Sequence, residues 1–326
     1  MRAILPIDSS QPHHPIPRIG DLPDPAPGQG EVLVAVEAAG INHADLHQLR
    51  GAYPPPPGES DVPGLECAGV VLEGEMGTPW QPGVRVMALL GGGGHATRVA
   101  IPTGQLMPLP DNLSFVEGGA IPEAALTSWV NLVVEGGLQA GETVLVTGAT
   151  GGMGTFAVQL ARELGARVLA AGRSRERLEL LRGLGIEEVC LEGANLPGQV
   201  REATGGRGVD LVLEFTGGPD TSGHLAALAP RGRLVVVGLV GGRKGEVDFG
   251  LVLGKRLHVI GSVLRARPRE EKARLVADFT AFALPRLRDG RLRPVVDRVL
   301  PLERAAEAYQ ALERGGAFGK IVLSMV

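Results

Sequence analysis

Residues Gly148–Gly154, GATGGMG, place Ala149, Gly151 and Gly154 at the spacing of the glycine turn G-x-G-x-x-G, with alanine in the first place. In such a turn Gly151 leaves room for a pyrophosphate at a helix N-terminus, and Gly154 lets the helix lie close to the preceding strand. A glycine turn alone is weak evidence. Here the β-branched run ETVLV precedes it and FAVQLARELG, apolar at helical spacing, follows it, which is the context that gives the motif meaning. Thr150, Gly151, Gly152, Met153 and Gly154 are therefore the expected dinucleotide contacts. About twenty residues on, where an NAD site carries an acidic reader of the ribose, the chain reads AGRSRER and offers Arg173, Ser174 and Arg175. Arginine forks match phosphate oxygens and a serine hydroxyl adds a donor, so the expected anion is the 2′-phosphate of NADPH. Arg175 and Arg177 are also compatible with a solvated helix start.

The elements that must hold these residues follow from periodicity. PEAALTSWVNLVVEGG and ERLELLRGLG read as helices, the second with Leu178, Leu181 and Leu184 along one face; GVDLVLEFTGG, GRLVVVGLVGG and LHVIGS read as buried strands. Alternating strands and helices predict an α/β fold with a doubly wound parallel sheet over residues 124–264. Phe215, Thr216, Gly238 and Leu239 end two of its strands, where ligands sit in such sheets. Residues 1–123 are short apolar runs punctuated by Gly and Pro, among them EVLVAVEAAG, which alternates like a strand, and predict a β-rich domain. Residues 265–326 add two helical patterns and a strand-like KIVLSMV that complete this domain, with the nucleotide domain inserted in it.

Composition removes several classes. A net charge of −4 with 32 basic and 36 acidic residues gives no basic field for nucleic acid or an anionic membrane. No apolar run approaches the length of a membrane span, and the N-terminus lacks a signal-peptide pattern. Cys67 and Cys190 are the two cysteines, too few for a disulfide framework or a cysteine-rich zinc lobe, and both read as packing residues. The expectation is a cytoplasmic protein. His43 and His47 stand four apart in HADLH without the Glu of H-E-x-x-H, and the other histidines, including His13–His14, form no cluster. No metal is expected.

GEVLVAVEAAGINHADLHQLRGAYPPPPGESDVPGLECAG, the glycine turn and the closing FGKIVL together resemble the medium-chain dehydrogenase/reductase superfamily, in its zinc-free quinone oxidoreductase branch. The resemblance covers essentially the whole chain. It implies a GroES-like catalytic domain, a Rossmann nucleotide domain and a homodimer paired through the edge strands of the nucleotide sheets. Zinc-dependent members carry Cys where Asn42 stands and His where Leu65 stands. The pocket residues implied are Asn42, Asp45 and Tyr53: Asn42 for nicotinamide or substrate, Asp45 to orient neighbours, Tyr53 to donate its hydroxyl. Asn42 and Asp45 are also compatible with capping a turn, and Tyr53 with packing before the prolines. His47 replaces a more usual aromatic. Thr127 matches a position beside the nicotinamide, and Val263, Leu264 and Arg265 match the segment that flanks it; Lys320 matches either a phosphate contact or a surface lysine. The activity implied is NADPH-dependent reduction of a quinone or related conjugated carbonyl, a small-molecule acceptor. Reduction of a 2-enal or enoyl thioester is the alternative, and an RNA-binding or crystallin-like role without turnover is the alternative of another class.

Overall fold

The computed structural model describes residues 1–6 and 16–325; His13 and His14 lie outside them. The chain divides into two compact units, Met1–Leu126 with Leu264–Val326, and Thr127–Val263. Cys67 is buried in the core of the first and Cys190 in that of the second.

In the first unit Glu31–Gly40 is the central strand, bonded antiparallel to Glu66–Glu73, Arg98–Pro102 and Lys320–Ser324. Arg85–Leu89 and Leu106–Pro108 extend the sheet on one side, and Val296–Pro301 runs parallel to Lys320–Ser324 on the other. The alternation expected of Glu31–Gly40 is incomplete: Val32, Leu33 and Val34 are all buried. Two register shifts against Glu66–Glu73 account for this, because bulges bend a strand and let successive side chains face protein. The helix His43–Leu49 follows directly. Its Leu46 and Leu49 join Tyr309, Ala305 and Ala308 of the helix Ala305–Arg314 in one apolar cluster. That packing leaves His43 and His47 exposed, one turn apart on the same side.

The second unit is a wholly parallel six-stranded sheet in the spatial order Glu188–Leu191, Arg167–Gly172, Thr143–Val146, Val209–Glu214, Leu228–Val236, His258–Gly261. This is the doubly wound order, reversing beside its first strand, where such sheets bind ligands at their carboxyl ends. Leu178, Leu181 and Leu184 are buried as their spacing predicts. The segment carrying them is one α-turn, Arg175–Glu179, tightened into a 3-10 helix over Leu180–Leu184 and stopped by Gly185 at φ 75°. The helix Pro122–Trp129 instead widens into a π-helix over Val130–Glu135, closed where the Gly136 amide donates to Asn131 O at 3.1 Å. Among the described residues no helix is long and apolar enough to cross a membrane.

Candidate functional site

The candidate residues fall into two groups, one in each unit. In the second unit the strand Thr143–Val146 ends in the turn Gly148–Gly151, and the helix Gly152–Glu163 starts on Gly151 with no side-chain cap. The first amides of a 12-residue helix are therefore left for an anion, and the helix dipole favours one there. Thr150, Gly152 and Met153 are half-buried at this opening. Gly154 is the close approach: a Cβ there would stand 2.4 Å from Gly148 O and 2.5 Å from Ala149 Cα. At Gly151 the nearest atom to an added Cβ is 3.5 Å away, so that glycine's value is room for a ligand rather than packing. Gly154→Ala is expected to cost about 1–3 kcal/mol by overpacking, read as a lower urea midpoint for this unit.

The neighbouring strand ends with Gly172, and Arg173 follows with its guanidinium exposed. Arg173 forms no hydrogen bond or ion pair with the described residues. Ser174 caps the next helix by accepting from the Arg177 amide at 3.3 Å, so its hydroxyl proton remains available to an acceptor. Arg175 is exposed and Arg177 half-buried. Farther along the carboxyl edge, Phe215–Gly217 runs beside Gly238–Gly242: the Gly241 amide donates to Thr216 O at 2.6 Å, and a Cβ on Gly238 would stand 2.7 Å from Phe215 O. Leu239 is exposed and Thr127 buried.

Beneath these turns lies a charged cluster that periodicity did not reveal. His224, on the helix Thr221–Ala227, is fully buried between Glu214 on Nδ1 and Glu192 on Nε2, the latter at 3.0 Å. Glu214 Oε1 also accepts from the Thr216 amide (2.8 Å) and hydroxyl (2.6 Å), the Gly217 amide (2.9 Å) and Thr147 Oγ1 (3.2 Å). Burial opposes charge on both groups, but the two carboxylates lift His224 to about 9, while His224 and these donors hold Glu214 down at about 2. Linkage gives the sign. The gain from His224 is complete below its ordinary 6.5 and is lost as pH rises through about 9; the gain from Glu214 is complete above 4.5 and is lost as pH falls through about 2. The melting temperature of this unit is accordingly expected to fall between pH 6.5 and 9, and the fall to vanish in His224→Gln.

In the first unit Asn42 starts the helix His43–Leu49. Asp45, fully buried, accepts from the Asn42 amide at 2.8 Å and from the Gly64 amide at 2.9 Å. Asp45 is thus a cap and an orienting group. The Asn42 amide is also held at both ends: Nδ2 donates to Glu66 Oε1 at 2.9 Å and Oδ1 accepts from Lys320 Nζ at 2.6 Å. Lys320 pairs with Glu66 Oε1 as well, and Glu66 Oε2 accepts from the Glu123 amide at 2.9 Å. Neither a phosphate contact nor a surface lysine describes Lys320, whose side chain is 3% exposed.

Tyr53 is half-buried under the guanidinium of Arg265, 5.1 Å from its ring centre. Arg265 donates to Gly91 O at 2.8 Å, Tyr53 O at 3.1 Å and Gln48 Oε1 at 2.5 Å. All its nitrogens are engaged within this unit, so Arg265 braces Tyr53. Leu264 is buried beside it in sequence and Val263 is half exposed. Burial and the nearby Glu123 raise the Tyr53 phenol above its ordinary value, against Arg265. Tyr53 therefore keeps its proton through neutral pH. Desolvation by the surrounding protein, with His47 and Lys320, lowers His43 below its ordinary value. Its imidazole is neutral near pH 7. A protonated phenol and a neutral imidazole are groups that can polarise or protonate a carbonyl oxygen.

Residues 28–111 match the family model described as the alcohol dehydrogenase GroES-like domain, and residues 152–281 match that described as zinc-binding dehydrogenase. The zinc of that description does not fit the donors here. Among the described residues no three His, Cys, Asp or Glu side chains gather to hold a metal, and Glu66 is already saturated by Lys320, Asn42 and Glu123. The chain is 31% identical to the quinone oxidoreductase of Sus scrofa over 93% of its own length and 92% of that protein's. A solved NAD-dependent alcohol dehydrogenase superposes with a TM-score of 0.86 at 32% identity, covering all of both chains. The quinone oxidoreductase of Thermus thermophilus, solved alone and with NADPH, superposes with a TM-score of 0.82 at 38% identity, again over all of both chains.

Proposed function

The chain belongs to the medium-chain dehydrogenase/reductase superfamily, in its quinone oxidoreductase-like branch, and from that premise we propose that it reduces quinones or related conjugated carbonyls with NADPH and without zinc. That it is an oxidoreductase using a nicotinamide cofactor follows from the family. The choice of NADPH rests on one observation: Arg173 stands exposed, and unpaired among the described residues, at the carboxyl end of the second strand of the nucleotide sheet. An arginine there with no acidic partner supports a phosphate as its counterpart.

When bound, the reduced nicotinamide supplies a hydride. The residues of this chain do the rest. The open amides at Gly152–Gly154 take the pyrophosphate, and Arg173 with Ser174 takes the 2′-phosphate. Phe215, Thr216, Gly238 and Leu239 line the carboxyl edge along which the cofactor extends. In the first unit Asp45 and the Lys320–Asn42–Glu66 network fix the start of the helix bearing His43, and Arg265 fixes Tyr53. The Tyr53 hydroxyl then holds a proton for the acceptor oxygen, so that one hydride and one proton complete each carbonyl reduction.

A homodimer belongs to the same proposal. The edge strand His258–Gly261 leaves Val259 56% exposed, and pairing such an edge with a second copy removes it from solvent. Light scattering at micromolar concentration checks this.

The acceptor is tested by following NADPH absorbance with 9,10-phenanthrenequinone, with a long-chain enoyl thioester and with neither. Quinone-dependent oxidation is the expected result. Turnover of the thioester alone moves the activity to enoyl reduction. Oxidation by neither acceptor, together with a salt-dependent shift of RNA, moves the protein to a binding role.

A further inference from the structure

The buried charges at the carboxyl edge of the nucleotide sheet have no part in the reading above beyond stability. Leu191 pairs in parallel register with Gly172, and the Glu192 amide donates to Gly172 O at 3.0 Å. Glu192 and Arg173 therefore leave adjacent strands side by side. The Glu192 side chain turns inward and is 6% exposed. Its Oε2 meets His224, while Oε1 is buried with no hydrogen-bond partner among the described residues. A carboxylate left half-satisfied next to the ribose corner is costly, and the cost is what makes its neutralisation by His224 matter.

We propose that Glu192 and His224 tune the choice between a 2′-phosphorylated and a free adenosine ribose: the carboxylate sets a negative charge behind Arg173, and the imidazolium cancels it. The proposal rests on the reading that Arg173 meets a 2′-phosphate. Between pH 7 and 10 the phosphate stays doubly charged and the arginines stay cationic. The groups acting on His224 are few. Glu192 and Glu214 face its two nitrogens, and Cys190, on the strand before Glu192 and near Arg175, is pushed up to about 11. Asp220 precedes its helix and is exposed. Lys255, lowered by burial and by Arg201, donates to Ala226 O and Leu228 O at the far end of that helix. His224, which titrates at about 9, is thus the group whose proton leaves beside the ribose corner in this window. Its loss adds one uncompensated negative charge opposite a dianion. With partial screening by solvent such a charge is worth about five- to tenfold in affinity for NADPH, and less for NADH, which lacks the 2′-phosphate.

The test is the ratio of the NADH and NADPH dissociation constants, by cofactor fluorescence, from pH 7 to 10. The ratio is expected to favour NADPH, hold steady to about pH 8 and fall about fivefold or more through a single proton step near 9. Lys255→Arg, which fixes that charge, keeps the step. His224→Gln lowers the preference already at pH 7 and removes the step. Glu192→Gln, which keeps size and polarity, removes one of the two carboxylates that hold the His224 proton, so the step moves to lower pH; it serves if His224→Gln fails to fold. A steady NADPH preference across pH 9, or a step that survives in Glu192→Gln unchanged, overturns the proposal while leaving the ribose reading intact. No preference at any pH sinks the ribose reading, and this proposal with it.

Discussion

Arg173→Asp is expected to weaken NADPH binding by about a hundredfold or more while leaving NADH within about threefold. The effect is local. An arginine fork on a phosphate makes two charge-assisted hydrogen bonds, each worth about 1.5 kcal/mol or somewhat more, and each 1.4 kcal/mol is tenfold. Arg173 is exposed, so the lower end of that range applies. The substituted carboxylate then adds repulsion of the phosphate, and it accepts from the free ribose hydroxyls as NAD sites do. Fluorescence titration with both reduced cofactors separates the two effects. An equal loss for both cofactors would mean that the substitution disturbed the turn rather than a phosphate contact.

Lys320→Met is expected to destabilise the first unit by about 3–5 kcal/mol, because it strands the Glu66 carboxylate in the interior without its cation. Glu66 is fully buried and the Lys320 side chain is 3% exposed. The Asn42 amide would lose the donor on its Oδ1 at the same time. The double substitution Lys320→Met with Glu66→Gln removes both buried charges, so much of the stability is expected to return. Urea unfolding of the single and double variants measures the coupling. Additive losses would show that the two charges do not act as a pair.

What could be read in the sequence was what depends on backbone demands at fixed spacing. The glycine turn, the strand before it and the helix after it are contiguous, and only small residues allow the approach that Gly154 makes. Arg173 was legible because the end of the second strand is a fixed position in a doubly wound sheet. The charged networks were not. Lys320 and Asn42 are 278 residues apart in sequence, and nothing local distinguishes a lysine that ends up beside a buried glutamate from one at the surface. His224 and Glu192 look like ordinary polar residues at a helix and a strand end, and only the packed sheet brings them together with Glu214. Arg265 was placed beside the nicotinamide by resemblance alone, and its hydrogen bonds to Tyr53, Gln48 and Gly91 join residues too far apart in sequence to be read there. The loss of alternation in Glu31–Gly40 likewise comes from bulges set by its neighbours, not from its own residues.

The reaction proposed is hydride transfer from NADPH to a quinone without a metal. The measurement is stopped-flow loss of NADPH absorbance with 9,10-phenanthrenequinone, before and after exhaustive chelation, using NADPH and NADPH deuterated at the transferred C4 position. The expected result is one rate for both preparations, slowed by deuterium. Activity that disappears on chelation and returns with zinc, or no quinone-dependent oxidation in either preparation, would contradict it.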